Sequence, residues 1–222
     1  MRNCLIVLFL FLGLNGGLGA EETVSHNSPV VSTYLVHTGE QFQAPHVLTY
    51  KMLEFSQQRG RWTLPDVGIY TGAGEKDKLL FGGAGADFRL SKKALLTQEI
   101  YFAQDTGPGS HHARSLWLWP VFNLDFAPRW LAQVVAYPTI PLNRAALAGF
   151  DVDRAKLQYD LRRNFAIGGG YNSSKCEGSP WKNRPFLTTT VSSIAGSFEF
   201  WLQKTPGGGQ LQLRYTLNHS ER

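Results

Sequence analysis

Strict alternation of apolar and polar residues is the strongest pattern in this chain. It is cleanest at 210–217, where Leu211, Leu213, Tyr215 and Leu217 fall on one side and Gln210, Gln212, Arg214 and Thr216 on the other. Just upstream, Phe198, Phe200 and Leu202 alternate with Glu199, Trp201 and Gln203. Thr205-Pro206-Gly207-Gly208-Gly209 between the two runs has the composition of a turn. A period of two places successive side chains on opposite faces of a strand, so these runs predict a β-hairpin with one apolar and one polar face. Ala155, Leu157, Tyr159 and Leu161 alternate in the same way with Arg154, Lys156, Gln158 and Asp160. Further upstream, Leu116, Leu118, Phe122, Leu124 and Phe126 alternate with Trp117, Trp119, Asn123 and Asp125, and Ala84, Ala86, Phe88 and Leu90 with Gly83, Gly85, Asp87 and Arg89. These segments lack the apolar spacing of three and four that a helix needs.

The connections between runs alternate in length. Short ones are expected near 57–61, 91–93, 127–128, 162–164 and 194–196. Longer or more turn-rich ones are expected near 38–45, 72–77, 105–113, 139–151, 173–184 and 205–208. Asp87-Phe88, Asp125-Phe126 and Asp160-Leu161 each end a strand before a short connection, a repeat of about two strands and their loops. The pattern predicts an all-β, antiparallel up-and-down barrel of about twelve strands, beginning at 30–37. Ten strands follow instead if the segment before His46 is an extension.

The first twenty residues read differently. Arg2 precedes an uncharged apolar run from Cys4 to Leu14, and Leu18-Gly19-Ala20 closes on small residues before Glu21 and Glu22. That is the layout of a secretory signal peptide, too short in its apolar part to cross a bilayer as a helix. Residues 1–20 are therefore expected to be removed, leaving a single barrel domain over 21–222 of the 222-residue chain. Loss of Arg2 lowers the formal net charge from +5 to +4. Cys176 then has no partner, so internal disulfides do not hold the domain. No basic run points to nucleic acid, and no motif points to a cofactor or a metal.

Charge decides which face of the sheet is inside. Asp87, Arg89, Glu99, Asp125, Gln133, Arg154, Lys156, Asp160, Glu199, Gln203 and Arg214 share the polar face. A dry sandwich core would charge several kcal/mol for each unpaired ion, whereas a wet lumen accepts them. Phe126, Trp130, Tyr137, Phe165, Tyr171, Phe186 and Tyr215 lie near strand ends, where interface girdles of a membrane barrel would lie. With the leader, the hairpin series and the strand at 210–217, the chain resembles the Gram-negative outer-membrane β-barrel class. It departs from it in running on through Asn218-His219-Ser220-Glu221-Arg222. The resemblance implies outer-membrane lipid around the barrel and a small solute or surface ligand as partner.

The chemistry on offer is limited. Asp87, Arg89, Glu99, Asp125, Arg154, Lys156, Asp160, Glu199 and Arg214 are the candidate lumen charges. They form either a charged constriction that selects small solutes or an ion-pair plug. Ser110-His111-His112 is an adjacent Ser/His cluster, but neighbouring histidines on an extended chain chelate poorly, and a nucleophilic serine needs an oriented base. His37 and His46 are expected in or near the first outside loop. Gly82-Gly83 and Gly168-Gly169-Gly170 lack a phosphate-loop context and mark strand bends and close packing. The loop at 173–181, with Trp181, covers the mouth or binds a partner. Three readings follow: a narrow channel or surface-binding barrel, a barrel-embedded lipid-modifying enzyme of the lipid A deacylase kind, and a soluble secreted ligand-binding barrel. No catalytic residue stands out, and an enzyme is the weaker expectation.

Overall fold

The computed structural model describes residues 30–43, 46–72, 78–205 and 208–221, and every regular element among them is a strand. The strands are β1 (Val30–Gln43), β2 (His46–Arg59), β3 (Trp62–Thr71), β4 (Lys78–Ser91), β5 (Ala94–Asp105) and β6 (Arg114–Ala127). They continue as β7 (Trp130–Pro141), β8 (Gly149–Arg162), β9 (Phe165–Cys176), β10 (Lys182–Ser193), β11 (Gly196–Thr205) and β12 (Gly208–Glu221). Each pairs antiparallel with the next, and β1 closes on β12 from Ser32↔Glu221 to Phe42↔Leu211. The result is a closed barrel of twelve strands, with no free sheet edge. The expected signal peptide at 1–20 lies outside the described residues.

Twelve strands replace the ten-strand alternative because the segment before His46 is a full strand. β1 also runs past the expected boundary at residue 37, through Thr38-Gly39-Glu40. That tripeptide has turn composition, but Gly39 lies under the Tyr50 ring of β2, where a Cβ would collide with the ring. The expected long connection at 38–45 is therefore cut to the span between Gln43 and His46, while the turn expected at 205–208 joins β11 to β12 as a hairpin. His37 moves from an expected loop to the middle of β1. His46 opens β2.

Five two-residue turns define one end of the barrel: Gly60-Arg61, Lys92-Lys93, Pro128-Arg129, Arg163-Asn164 and Ile194-Ala195. Gly60 and Arg129 take left-handed φ values, 59° and 67°, of the kind common in tight hairpin turns. The Asp repeat marks equivalent backbone positions, at which Ser192 also stands, with its N–H donating to the Asn164 carbonyl at 3.0 Å. The backbone N–H groups of Asp87, Asp125 and Asp160 donate to the carbonyls of Arg61, Lys93 and Arg129 in the preceding turns, at 2.8, 2.8 and 2.9 Å. Among the described residues, longer connections at 106–113, 142–148 and 177–181 lie at the other end. β1 starts and β12 finishes at the short-turn end.

The two faces of the sheet are inverted relative to a soluble barrel. Leu187 and Leu202, paired across β10 and β11, are 65% and 61% exposed, whereas Lys156 and Arg214 are 6% and 7% exposed. Leu53, Ile69, Leu80, Phe102, Leu157 and Phe200 continue the exposed apolar face around the barrel. The interior holds Phe81, Tyr101 and Ala103, with Met52, Tyr70, Trp117 and Trp119 packed against them. Gly68 makes room for Phe81: a Cβ there would strike its ring and the Leu53 carbonyl. Gly168 serves close packing as expected, with the Leu157 carbonyl 2.6 Å from where its Cβ would stand.

Two of the aromatics expected in a girdle face inward instead. Tyr137 packs edge-on against Trp119, with ring centroids 4.3 Å apart, and Phe186 stacks on Trp201 at 3.9 Å. Strand phase overrides position near a strand end: Tyr137 alternates in step with Gln133 and Val135, and Phe186 with Thr188 and Thr190. Phe126, Trp130, Tyr171 and Tyr215 are exposed on the outer side.

Candidate functional site

In a closed barrel, a side chain can touch one from a non-neighbouring strand only through the interior. Several contacts of this kind meet near mid-height. Arg214 of β12 clamps Asp153 of β8 with two parallel bonds, Nη1 to Oδ2 and Nη2 to Oδ1, each 2.8 Å. Arg154 Nε donates to Asp153 Oδ2 at 2.8 Å. Lys156 Nζ of β8 reaches Glu199 Oε1 of β11 at 2.9 Å, and Arg154 Nη1 lies 3.6 Å from Glu199 Oε2. The lumen is bridged at this level by three cations and two carboxylates.

The bridge is held on every side. The Arg214 guanidinium lies 3.8 Å over the Trp201 ring, and Trp201 Nε1 donates to Glu199 Oε2 at 3.0 Å. Thr190 Oγ1 donates to Glu199 Oε1 at 3.2 Å. With its oxygen turned toward Arg214, the Gln212 amide accepts from Arg214 Nε at 2.9 Å and from the Tyr50 hydroxyl at 3.1 Å. Tyr50 also approaches His37 Nε2 at 3.4 Å, and His37 Nδ1 meets Thr216 Oγ1 at 2.7 Å. Bidentate and charge-assisted bonds of this sort are the strong ones, and the shared partners lock one geometry.

Asp153 reaches the lumen through a β-bulge. Between Val152 and Ala155, β8 carries one more residue than its partner segment on β9, so strict alternation breaks there. Asp153 and Arg154, though adjacent in sequence, both join the interior network. Asn172 Nδ2 donates to the Asp153 carbonyl at 2.8 Å and satisfies the displaced backbone.

A second wall faces this bridge from β2, β3 and β5. Asp66 is 1% exposed and accepts from the Tyr101 hydroxyl at 2.7 Å. Glu54 and Glu99, both half-buried, lie within electrostatic range of Asp66 and of each other. Among the described residues, every ion pair lies in the opposite bridge and none on this wall. Phe81, Tyr101, Trp119 and Tyr137 run edge to face around β4 to β7, at 5.2, 5.8 and 4.3 Å. Asp66 too follows a bulge, between Thr63 and Asp66 against β4.

Of the nine candidate lumen charges, Arg154, Lys156, Glu199 and Arg214 meet in the bridge, and Glu99 stands on the acidic wall. Asp87 accepts from Gln58 Nε2 and Thr97 Oγ1, at 3.0 and 2.6 Å, toward the short-turn end. Arg89, Asp125 and Asp160 are exposed at that same end, where β4, β6 and β8 run out. Sequence reasoning missed Asp153, Asp66, Glu54 and Tyr50, and it placed His37 in a loop, away from this network. In the outside loop, Ser110 Oγ donates to the Asp105 carbonyl and accepts from the His112 N–H, both at 3.2 Å, while His111 and His112 are exposed. The hydroxyl closes the loop. Among the described residues no group of His, Cys, Asp and Glu is arranged to hold a metal ion.

No protein-family model matches the sequence, and no curated protein matches it. Solved structures do. A KdgM porin is similar over 85% of this chain and 99% of its own, with 8% identity and a TM-score of 0.56. A KdgM porin in complex with disordered oligogalacturonate is similar over 86% and 99%, with 8% identity and a TM-score of 0.57. The COG4313 outer membrane channel from Pseudomonas putida F1 is similar over 91% and 100%, with 11% identity and a TM-score of 0.56. At such identities the likeness is one of fold: this chain has the closed antiparallel barrel of outer-membrane channels.

Proposed function

We propose that this chain is an exported outer-membrane protein of Gram-negative type, its first twenty residues removed on export, and that its lumen is a narrow path for small solutes. The observation that carries the reading is the pairing of an apolar outer face with a charged interior. A lipid-facing surface and a polar lumen are the two solvents such a barrel separates. The soluble alternative would leave Leu187, Leu202 and their neighbours in water.

Width follows from strand number. Barrels of about eight strands are filled by side chains, and those of about sixteen or more hold an aqueous channel. Twelve strands lie between, and the bridge from Asp153 to Arg214 narrows the passage further. Each carboxylate of the bridge is paired with cations there, whereas Glu54, Asp66 and Glu99 have no cation paired with them, so that wall is assigned the preference. Acidic walls favour cations. One structural neighbour is a porin in complex with oligogalacturonate, a carboxylated sugar polymer. The acidic wall points this lumen toward different, cationic or neutral, small solutes.

The purified full chain in planar bilayers tests the proposal. Small discrete conductance steps are the expected result. Correctly folded protein that leaves the bilayer silent would remove the channel reading.

A further inference from the structure

The turns at the short-turn end are chemically one-sided. Their ten residues include Arg61, Lys92, Lys93, Arg129 and Arg163, and not one Asp or Glu. All five cations are exposed. The connections at the other end are mixed, with Glu177 among them. At the strand ends beside these turns, exposed Arg59, Arg89 and Arg162 outnumber exposed Asp125 and Asp160, so the whole end is cationic. Solubility alone would be served by either sign, so this excess calls for a partner.

Geometry indicates where these cations lie. The Arg61 guanidinium sits 5.0 Å over the Trp62 ring, and Trp62 is 46% exposed on the outer, apolar side of the barrel. Arg129 precedes Trp130, whose ring packs between Phe126 and Tyr159 at 6.1 and 4.9 Å. Exposed aromatic rings at a strand end mark the boundary between hydrocarbon and headgroups. Cations held at that boundary lie at the level of lipid phosphates, away from the lumen axis.

We infer that this end of the barrel is a docking surface for anionic phospholipid headgroups, with Arg61, Lys92, Lys93, Arg129 and Arg163 as its cations. The inference rests on the membrane reading above. Each cation near an anionic surface is attracted to it within a Debye length, and salt weakens the attraction. A soluble acidic partner is disfavoured because Arg61 is directed along the lipid-facing ring.

The test uses the full chain folded into vesicles of phosphatidylcholine alone or mixed with phosphatidylglycerol, with unfolding in urea followed by tryptophan fluorescence. Phosphatidylglycerol is expected to slow unfolding about tenfold, a difference that about 1 M salt abolishes. The combined variant Lys92→Gln, Lys93→Gln, Arg129→Gln and Arg163→Gln should lose most of the difference. Lys175→Gln with Lys182→Gln, at the other end, should keep it. Equal unfolding rates of the natural chain in the two vesicles would overturn the inference, as would a lipid effect insensitive to salt or one that survives the turn variant. If the combined variant does not fold, the salt dependence of the natural chain decides. Failure of the natural chain to fold into either vesicle would count against the membrane reading itself.

Discussion

Asp153 is the residue on which the lumen bridge depends. It receives both Nη groups of Arg214 and the Nε of Arg154, and its side chain is 15% exposed. Removing one partner of such a buried pair leaves a charge without compensation, which costs about 3 kcal/mol or more. Asp153→Asn should therefore lower stability by about that amount, measured by urea unfolding in vesicles. Replacing Asp153 and Arg214 together by leucine should recover most of the loss. Arg214→Lys should behave as a damaging change, because a lysine cannot supply the bidentate pair and the ring stacking together. At the facing wall, Glu54→Gln with Glu99→Gln should move the reversal potential in a KCl gradient toward zero. An anion preference in the natural chain would contradict the assignment of that wall.

Strands carry the next level of the account. Leu187 stands near the middle of β10 on the outer face, so Leu187→Arg should cost about 2–4 kcal/mol if that face is in lipid. On a water-facing surface the same change would be within about 0.5 kcal/mol of neutral. The hairpins from β4 onward were legible in the sequence because alternation there is nearly unbroken, as at Gln210 to Leu217. The first strand was not, because Thr38-Gly39-Glu40 has the composition of a turn and only the ring of Tyr50 over Gly39 explains its place in the sheet. The site was legible in part. Arg154, Lys156, Glu199 and Arg214 follow the two-residue period and meet as side chains of one face. Asp153 breaks that period through a bulge, and the alternation read from the sequence begins only after it, at Arg154. Asp66 follows a bulge of its own at 63–66. Tyr137 and Phe186 show the converse: their positions near strand ends suggested the outside, but their phase put them inside.

At the scale of the molecule, the division between short turns and longer connections sets the orientation expected under the proposed function. Short turns of outer-membrane barrels face the periplasm and longer loops the exterior. Cys176 ends β9 on the long-loop side and is exposed. A membrane-impermeant maleimide should therefore label it on intact cells, and Cys176→Ser should abolish the label. Labelling only after the outer membrane is permeabilised would reverse the orientation. The central claim is a closed barrel with its apolar face in lipid, and one gel tests it most directly. Membrane fractions containing the chain are run in detergent with and without boiling. The account predicts that the protein is in the outer-membrane fraction and migrates differently before and after boiling, since a hydrogen-bonded closed barrel resists detergent until heated. A single mobility under both conditions, with the protein in the soluble periplasmic fraction, would contradict it.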